Sequence, residues 1–193
     1  MTRRSRPRAA LVACLSSILI VVTVVPARAD GSPSRVPRAE ELALRLLNCT
    51  RTGGWVRADG SCRAWGSGRF SPYRAPLARH APIALTVAWP WALQLVITGV
   101  CNHSAEDGPS WQDRFRSVGH EHLAIAENIG CASGLSPRRT VIATHRAMQA
   151  ERASNGGHWE NLKSADFRSV GIGVARLGDR TAVVYDFTRA KAP

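Results

Sequence analysis

Val170-Gly-Ile-Gly-Val-Ala175 and Ala182-Val-Val-Tyr-Asp-Phe187 are two apolar, β-branched runs with Gly178-Asp179 between them. So short a connection with turn chemistry reads as an antiparallel strand pair. Upstream, residues 123–129 read as a third strand. Residues 137–151 carry a helical repeat that Gly156-Gly157 interrupts. Two more helices precede them. The first opens at Pro37 with Glu40 and Glu41 in its first turn, takes its apolar face from Leu42, Leu46 and Leu47, and ends near Asn48. Proline suits the first helical position and acids suit the positive end of the helix dipole. The second covers about residues 89–100 inside an apolar stretch, 81–100, that is nearly long enough to span a bilayer. Pro82, Pro90, Gln94 and Thr98 interrupt that stretch, so a buried helix is the expectation. Helix, helix, strand, helix, strand, strand implies an α+β domain on a mainly antiparallel sheet.

The 193 residues suffice for one domain, and no repeat occurs at solenoid or propeller periods. Residues 1–29 read as a signal peptide. Arg3, Arg4, Arg6 and Arg8 form the basic region, 11–25 the apolar core, and Ala27-Arg28-Ala29 the cleavage pattern. Leu11-Val12-Ala13-Cys14 resembles a lipobox, but most of the apolar run follows the cysteine rather than preceding it. The expectation is a secreted chain with no membrane span after cleavage, a short Pro/Ser tether at 30–37 and a domain at 38–193. Cleavage removes five Arg and no acid, taking the net charge from +12 to +7. The basic residues are scattered, with no stripe interleaved with aromatics, which argues against a nucleic-acid partner.

Cys14 would leave with the signal, so Cys49, Cys62, Cys101 and Cys131 remain. An even number in an exported chain reads as two disulfides, and four cysteines allow three pairings. The favoured pairing is Cys49–Cys62, closing a Gly-rich loop, with Cys101–Cys131, tying a helix end to a strand end. No Cys-x-x-Cys occurs, which argues against a zinc ribbon.

Ala126-Glu127-Asn128-Ile129, Gly157-His158-Trp159-x-Asn161-Leu162, Val170-Gly-Ile-Gly-Val174 and Asp186-Phe187 resemble, in order and spacing, the successive motifs of the CAP superfamily. That group holds the cysteine-rich secretory, antigen 5 and pathogenesis-related 1 proteins. The resemblance covers about residues 40–187 and implies a three-layer α-β-α sandwich. It also implies a cleft of two His and two Glu that binds a divalent metal in some members. Those four fall on His103, Glu127, Glu151 and His158. Ala126 stands where the family has Gly, and Met148 where it has Trp.

Two imidazoles and two carboxylates suit Zn²⁺, with room left for water. Gly156-Gly157 is expected to swing His158 back towards the helix carrying Glu151. His120-Glu121-His122 places two imidazoles on one face of an extended segment but lacks zinc-peptidase spacing, and reads as solvated loop. His80 and His145 have no evident companions. Asn48-Cys-Thr50 and Asn102-His-Ser104 fit the glycosylation sequon, but the leader has a bacterial pattern, which argues against occupancy. The functional expectation is a monomeric secreted binding module whose cleft takes a metal, a lipid or sterol, or a surface protein. The alternatives are a metal-dependent peptidase-like hydrolase, with Glu127 and Glu151 as catalytic candidates, and a cell-envelope interaction protein with a vestigial site.

Overall fold

The computed structural model describes residues 31–118 and 122–190, with the side chains of 122, 123 and 190 outside the description. The signal-peptide residues and the side chains of His120-Glu121-His122 therefore lie outside the described residues.

Among the described residues seven strands and six α-helices follow one another as β1 (Ser34–Arg35), α1 (Pro37–Arg51), β2 (Trp55–Val56), β3 (Cys62–Arg63), β4 (Ala78–Arg79), α2 (Ala81–Ile83), α3 (Trp89–Thr98), α4 (Trp111–Ser117), β5 (His122–Ser133), α5 (Pro137–Ala150), α6 (Gly157–Lys163), β6 (Ser169–Leu177) and β7 (Arg180–Ala190). The main sheet has the order β1-β6-β7-β5, with β4 also on β6. Only the β4–β6 pair is parallel. A separate β2–β3 hairpin lies within the 52–76 stretch.

Both faces of the sheet are covered, which is why β6 and β7 read as unbroken apolar runs. On one face Val170, Ile172, Val174, Val183, Tyr185 and Phe187 pack with Leu42 and Leu46 of α1, Val141 and Met148 of α5, and Trp159 of α6. On the other, Ala175, Ala182 and Val184 pack with Trp91, Leu95 and Val96 of α3. This is the α-β-α sandwich. The two glycines of Val170-Gly-Ile-Gly-Val174 have a packing reason. A Cβ on Gly171 would lie 2.6 Å from the Ala84 backbone N, and one on Gly173 would lie 2.5 Å from the Ala88 backbone. Side chains on that face would hold the helix off the sheet.

That helix begins at Ala81, eight residues before the expected start, and ends at Thr98 with Gly99 left-handed at φ 73°. Residues Ala84–Ala88 form a π turn in which the Trp89 N–H donates to Ala84 O. Pro90 cannot donate to an i−4 carbonyl, and widening the turn just before it absorbs the break. By length and composition 81–98 is apolar enough to cross a membrane, but here it packs along the sheet.

Other boundaries move for identifiable reasons. α1 runs to Arg51 because the carbonyls of its last turn are satisfied by Lys163, whose Nζ donates to Thr50 O (3.0 Å) and Arg51 O (2.9 Å). The 30–37 stretch is more than a tether, since Ser34–Arg35 pair with Ala175 and Arg176. Arg35 from β1 and Arg79 from β4 both reach the buried Glu40, at 2.7 and 2.6 Å. The polar stretch after the 81–98 helix contains α4, opened by a capping box in which Ser110 and Asp113 bond each other's backbone N–H.

His145 is not companionless. Gln149 is fixed by Val56, accepting from its N–H at Oε1 and donating to its carbonyl from Nε2. Thr50 Oγ1 donates to Gln149 Oε1 at 3.0 Å, so it accepts from His145 Nε2 at 2.8 Å. His145 Nδ1 is buried with no partner. Burial pulls its pKa down to about 3. The ring stays neutral when folded and takes a proton when unfolded, so stability falls as pH drops from about 6.5 towards 3. The slope from this one group is at most about 1.4 kcal/mol per pH unit. Urea melts at pH 7 and pH 5 should show a larger acid loss for the native chain than for His145→Gln. Equal losses would remove His145 as the source.

Candidate functional site

The three layers meet the outside at β5, the edge strand of the sheet. The loop after α3 brings His103 to one side of β5, and the α5–α6 connection brings Glu151 and His158 to the other. The cleft between them has a volume of about 650 Å³ and is lined by His103, Trp111, Glu127, Glu151, His158 and Asn161 among others. All four residues expected from the sequence stand in it, organised as two pairs. His103 Nδ1 lies 2.8 Å from Glu127 Oε1, and His158 Nδ1 lies 2.6 Å from Glu151 Oε1. The two imidazoles stack with centroids 6.3 Å apart and planes 25° apart. In each pair the carboxylate can accept from Nδ1, and the tautomer that makes this bond carries its lone pair on Nε2.

Each pair is locally enforced. Glu151 Oε2 also accepts from the His158 backbone N–H at 3.0 Å. A Cβ on Gly156 would fall 2.5 Å from that oxygen, so glycine is needed there for space. The sharp bend itself is at Asn155, φ 50°, while a Cβ on Gly157 would meet nothing within 4 Å. Only one glycine of the pair has the expected role. Asn128 donates to His158 O at 3.0 Å and accepts from Asn161 at 2.8 Å, tying α6 to β5. Met148, in the position of the family's tryptophan, is buried with its sulfur 3.6 Å from Asn128 Nδ2.

Two residues to which the sequence reading gave no role in the cleft sit behind Glu127. Arg114 Nη2 donates to Glu127 Oε2 at 2.5 Å, its Nη1 donates to His103 O at 2.9 Å, and its guanidinium lies 3.8 Å from the Trp91 ring centroid. The capping box Ser110-x-x-Asp113 was the available signal that residue 114 lies on a helix. Asp186 faces Glu127 directly across the β5–β7 ladder. It is fully buried, and burial first, then the Glu127 carboxylate, pushes its pKa well above the usual carboxylate range. The Asp186-Phe187 motif marked the strand, but nothing local in the sequence showed that this carboxyl lies beside Glu127.

Both expected disulfides form, Cys49–Cys62 and Cys101–Cys131. The second joins the loop carrying His103 to the strand carrying Glu127.

No protein-family model and no curated protein matches the sequence. Solved structures do match the fold. An extracellular SCP-domain protein from Bacillus anthracis superposes with a TM-score of 0.54 at 19% identity, over 79% of this chain and 41% of that one. The chain has the CAP/SCP fold. An outer surface protein from Borrelia burgdorferi gives a TM-score of 0.56 at 14% identity, over 83% of this chain and 100% of that one. NaASP2, solved with Zn²⁺, gives 0.52 at 16% identity, over 79% of this chain and 80% of that one. The chain thus spans less than half the length of the Bacillus protein.

In a domain of this fold the four cleft residues offer imidazole nitrogens backed by carboxylates. Among the described residues no group of three or more His, Cys, Asp or Glu is set to hold a metal. The four residues form two rings with a carboxylate behind each, rather than four free donors. The donor set still suits Zn²⁺, because imidazoles oriented by carboxylates at the other ring nitrogen are a recurring arrangement around that ion.

Proposed function

We propose that this chain is a secreted CAP/SCP binding module whose cleft holds a divalent metal, Zn²⁺ by donor chemistry. His103 and His158 would ligate through Nε2, and Glu127 and Glu151 would position the rings and balance the charge. The observation that carries this reading is the stacked pair of imidazoles, each with Nδ1 committed to a carboxylate. NaASP2 solved with Zn²⁺, and the extracellular and outer-surface neighbours, support metal binding and secretion respectively. A bound ion would supply Lewis acidity to whatever the cleft admits.

Calorimetric titration with zinc tests the reading. Affinity should fall below about pH 6, because imidazole must lose its proton to ligate. His103→Ala and His158→Ala should each lose most of it. Unchanged affinity in both variants would dismiss the site.

The two disulfides should separate in the same assay. Replacing Cys101 and Cys131 together by Ser frees the His103 loop from the Glu127 strand, and zinc affinity should drop at least about tenfold with the domain still folded. Replacing Cys49 and Cys62 should lower the melting temperature, by a comparable loss of about 3 kcal/mol, and leave affinity nearly alone. Equal losses of affinity would mean that the bridges act on global stability only.

A further inference from the structure

Among the described residues β5 pairs on one side only, with β7. Which of its backbone groups face outwards follows from the register. Val36 N–H donates to Val174 O and His80 N–H to Val170 O, so even-numbered residues of β6 point away from β7 and odd-numbered ones towards it. The odd residues of β6 pair with even residues of β7, which leaves the odd residues of β7 pointing at β5. Those pair with Ala124, Ala126, Asn128, Gly130 and Ala132. The N–H and C=O groups of Ile125, Glu127, Ile129, Cys131 and Ser133 therefore face the open edge. Asn161 Nδ2, 3.5 Å from Glu127 O, agrees with that parity.

A sheet edge of this length attracts further strands unless it is covered or charged. Here it borders two contiguous depressions. The His/Glu cleft takes in 125–127, and a second groove of about 320 Å³ takes in 129–132. Glu151 and His158 line both. The far wall of the second groove is the flank of α5, where Ala143, Thr144, Ala147 and Met148 present small or apolar surface.

We propose that the outer edge of β5 binds an extended peptide by strand addition. The peptide bonds to Ile129, Cys131 and Ser133 and puts an apolar side chain in the α5 groove. Its next residues then enter the His103/His158 cleft. This deepens the binding-module reading by giving its cleft a ligand class. Asn161 already holds the Glu127 carbonyl, so the ladder stops there and the peptide leaves the strand direction at the metal-binding rings. Pairing is read from backbone groups and tolerates many sequences, while the groove selects the side chain. An extended segment fits better than the edge of a second folded copy. The edge lies recessed in depressions lined by α5 and α6 on one side and by His103 and Trp111 on the other, where a lone extended segment enters more readily than the edge of a folded domain.

The probe is a pooled library of capped nonapeptides with Val, Ile or Thr at alternate positions and the rest randomised, bound to the full mature domain. Selected peptides should bind the native domain. They should lose at least about tenfold when methylated on the backbone nitrogens that pair, since side-chain recognition alone would not sense that change. Ile129→Pro removes an outward N–H and none of the β7 ladder, a placement edge strands accept, and should cost as much. Ala147→Trp, at an exposed position, fills the groove without touching the core and should also abolish binding. A library that yields no binder overturns the proposal, as do binders indifferent to both substitutions or to methylation. A native dimer that Ala147→Trp dissolves would assign the edge to a second copy and overturn it as well. Zinc titration beside each assay keeps the two readings apart. Peptide binding without zinc binding would sink the metal site alone, and zinc binding without peptide binding would sink strand addition alone.

Discussion

Gly173→Ala should destabilise the domain by about 3 kcal/mol, enough to lower the melting temperature by about 10 °C in a domain of this size. The added methyl would meet Ala88 C and O and Trp89 N, all at 2.5 Å, and backbone atoms cannot rotate aside as a side-chain tip can. The helix must then lift from the sheet along its length, which opens the packing of Trp91 and Leu95 on Val184. Against this, alanine restricts the unfolded chain and returns about 0.4–1 kcal/mol. The overlap wins. Gly157→Ala has the same entropic gain with nothing within 4 Å of the new methyl, and should be neutral or slightly stabilising. Thermal melts of the two variants decide the matter. A Gly173→Ala domain as stable as the native one would show that the helix–sheet contact is looser than described.

Arg114→Leu should cost about 3–5 kcal/mol, because it strips the cation from a carboxylate whose side chain is 0% exposed. Glu127 would be left beside Asp186 with only His103 to bond it. Adding Glu127→Gln to Arg114→Leu should restore most of the loss, since the buried charge goes with its partner. Arg114→Lys should fall between them: an ammonium cannot span Glu127 Oε2 and the His103 carbonyl as the guanidinium does. Chemical denaturation of the three variants measures this. An Arg114→Leu domain within about 1 kcal/mol of native stability would reduce the ion pair to an exposed one.

These two positions also mark what the sequence disclosed. The Gly-Ile-Gly alternation, the apolar runs of β6 and β7 and the Pro37 helix start are local signals, and each gave an element the structure contains. The four cleft residues were found through motif resemblance, since no spacing in the chain brings 103, 127, 151 and 158 together. Arg114 and Asp186 were missed because their role exists only in tertiary contact. An arginine in a polar stretch and an aspartate in an apolar run acquire meaning once β5 is laid beside β7 and α4 beneath them. The early start of the long helix escaped for a different reason: Pro82 and Pro90 read as breakers, whereas one sits in the first turn and the other follows a π turn. β1 and β4, at two residues each, are too short to show any period.

The strand order carries a last consequence. β6 and β7 lie inside the sheet, yet they come after every other element in the chain. Until they are present, the 81–98 helix lacks the sheet surface on which Trp91 and Leu95 are buried, and β5 lacks the strand it pairs with. The sheet closes only with these last strands, and the pairing of β1 with β6 closes a loop of more than a hundred residues, a contact of the kind that slows folding. The same ordering makes the domain intolerant of a shortened C-terminal end: a chain stopped before residue 180 would lack the strand that joins β5 to the rest.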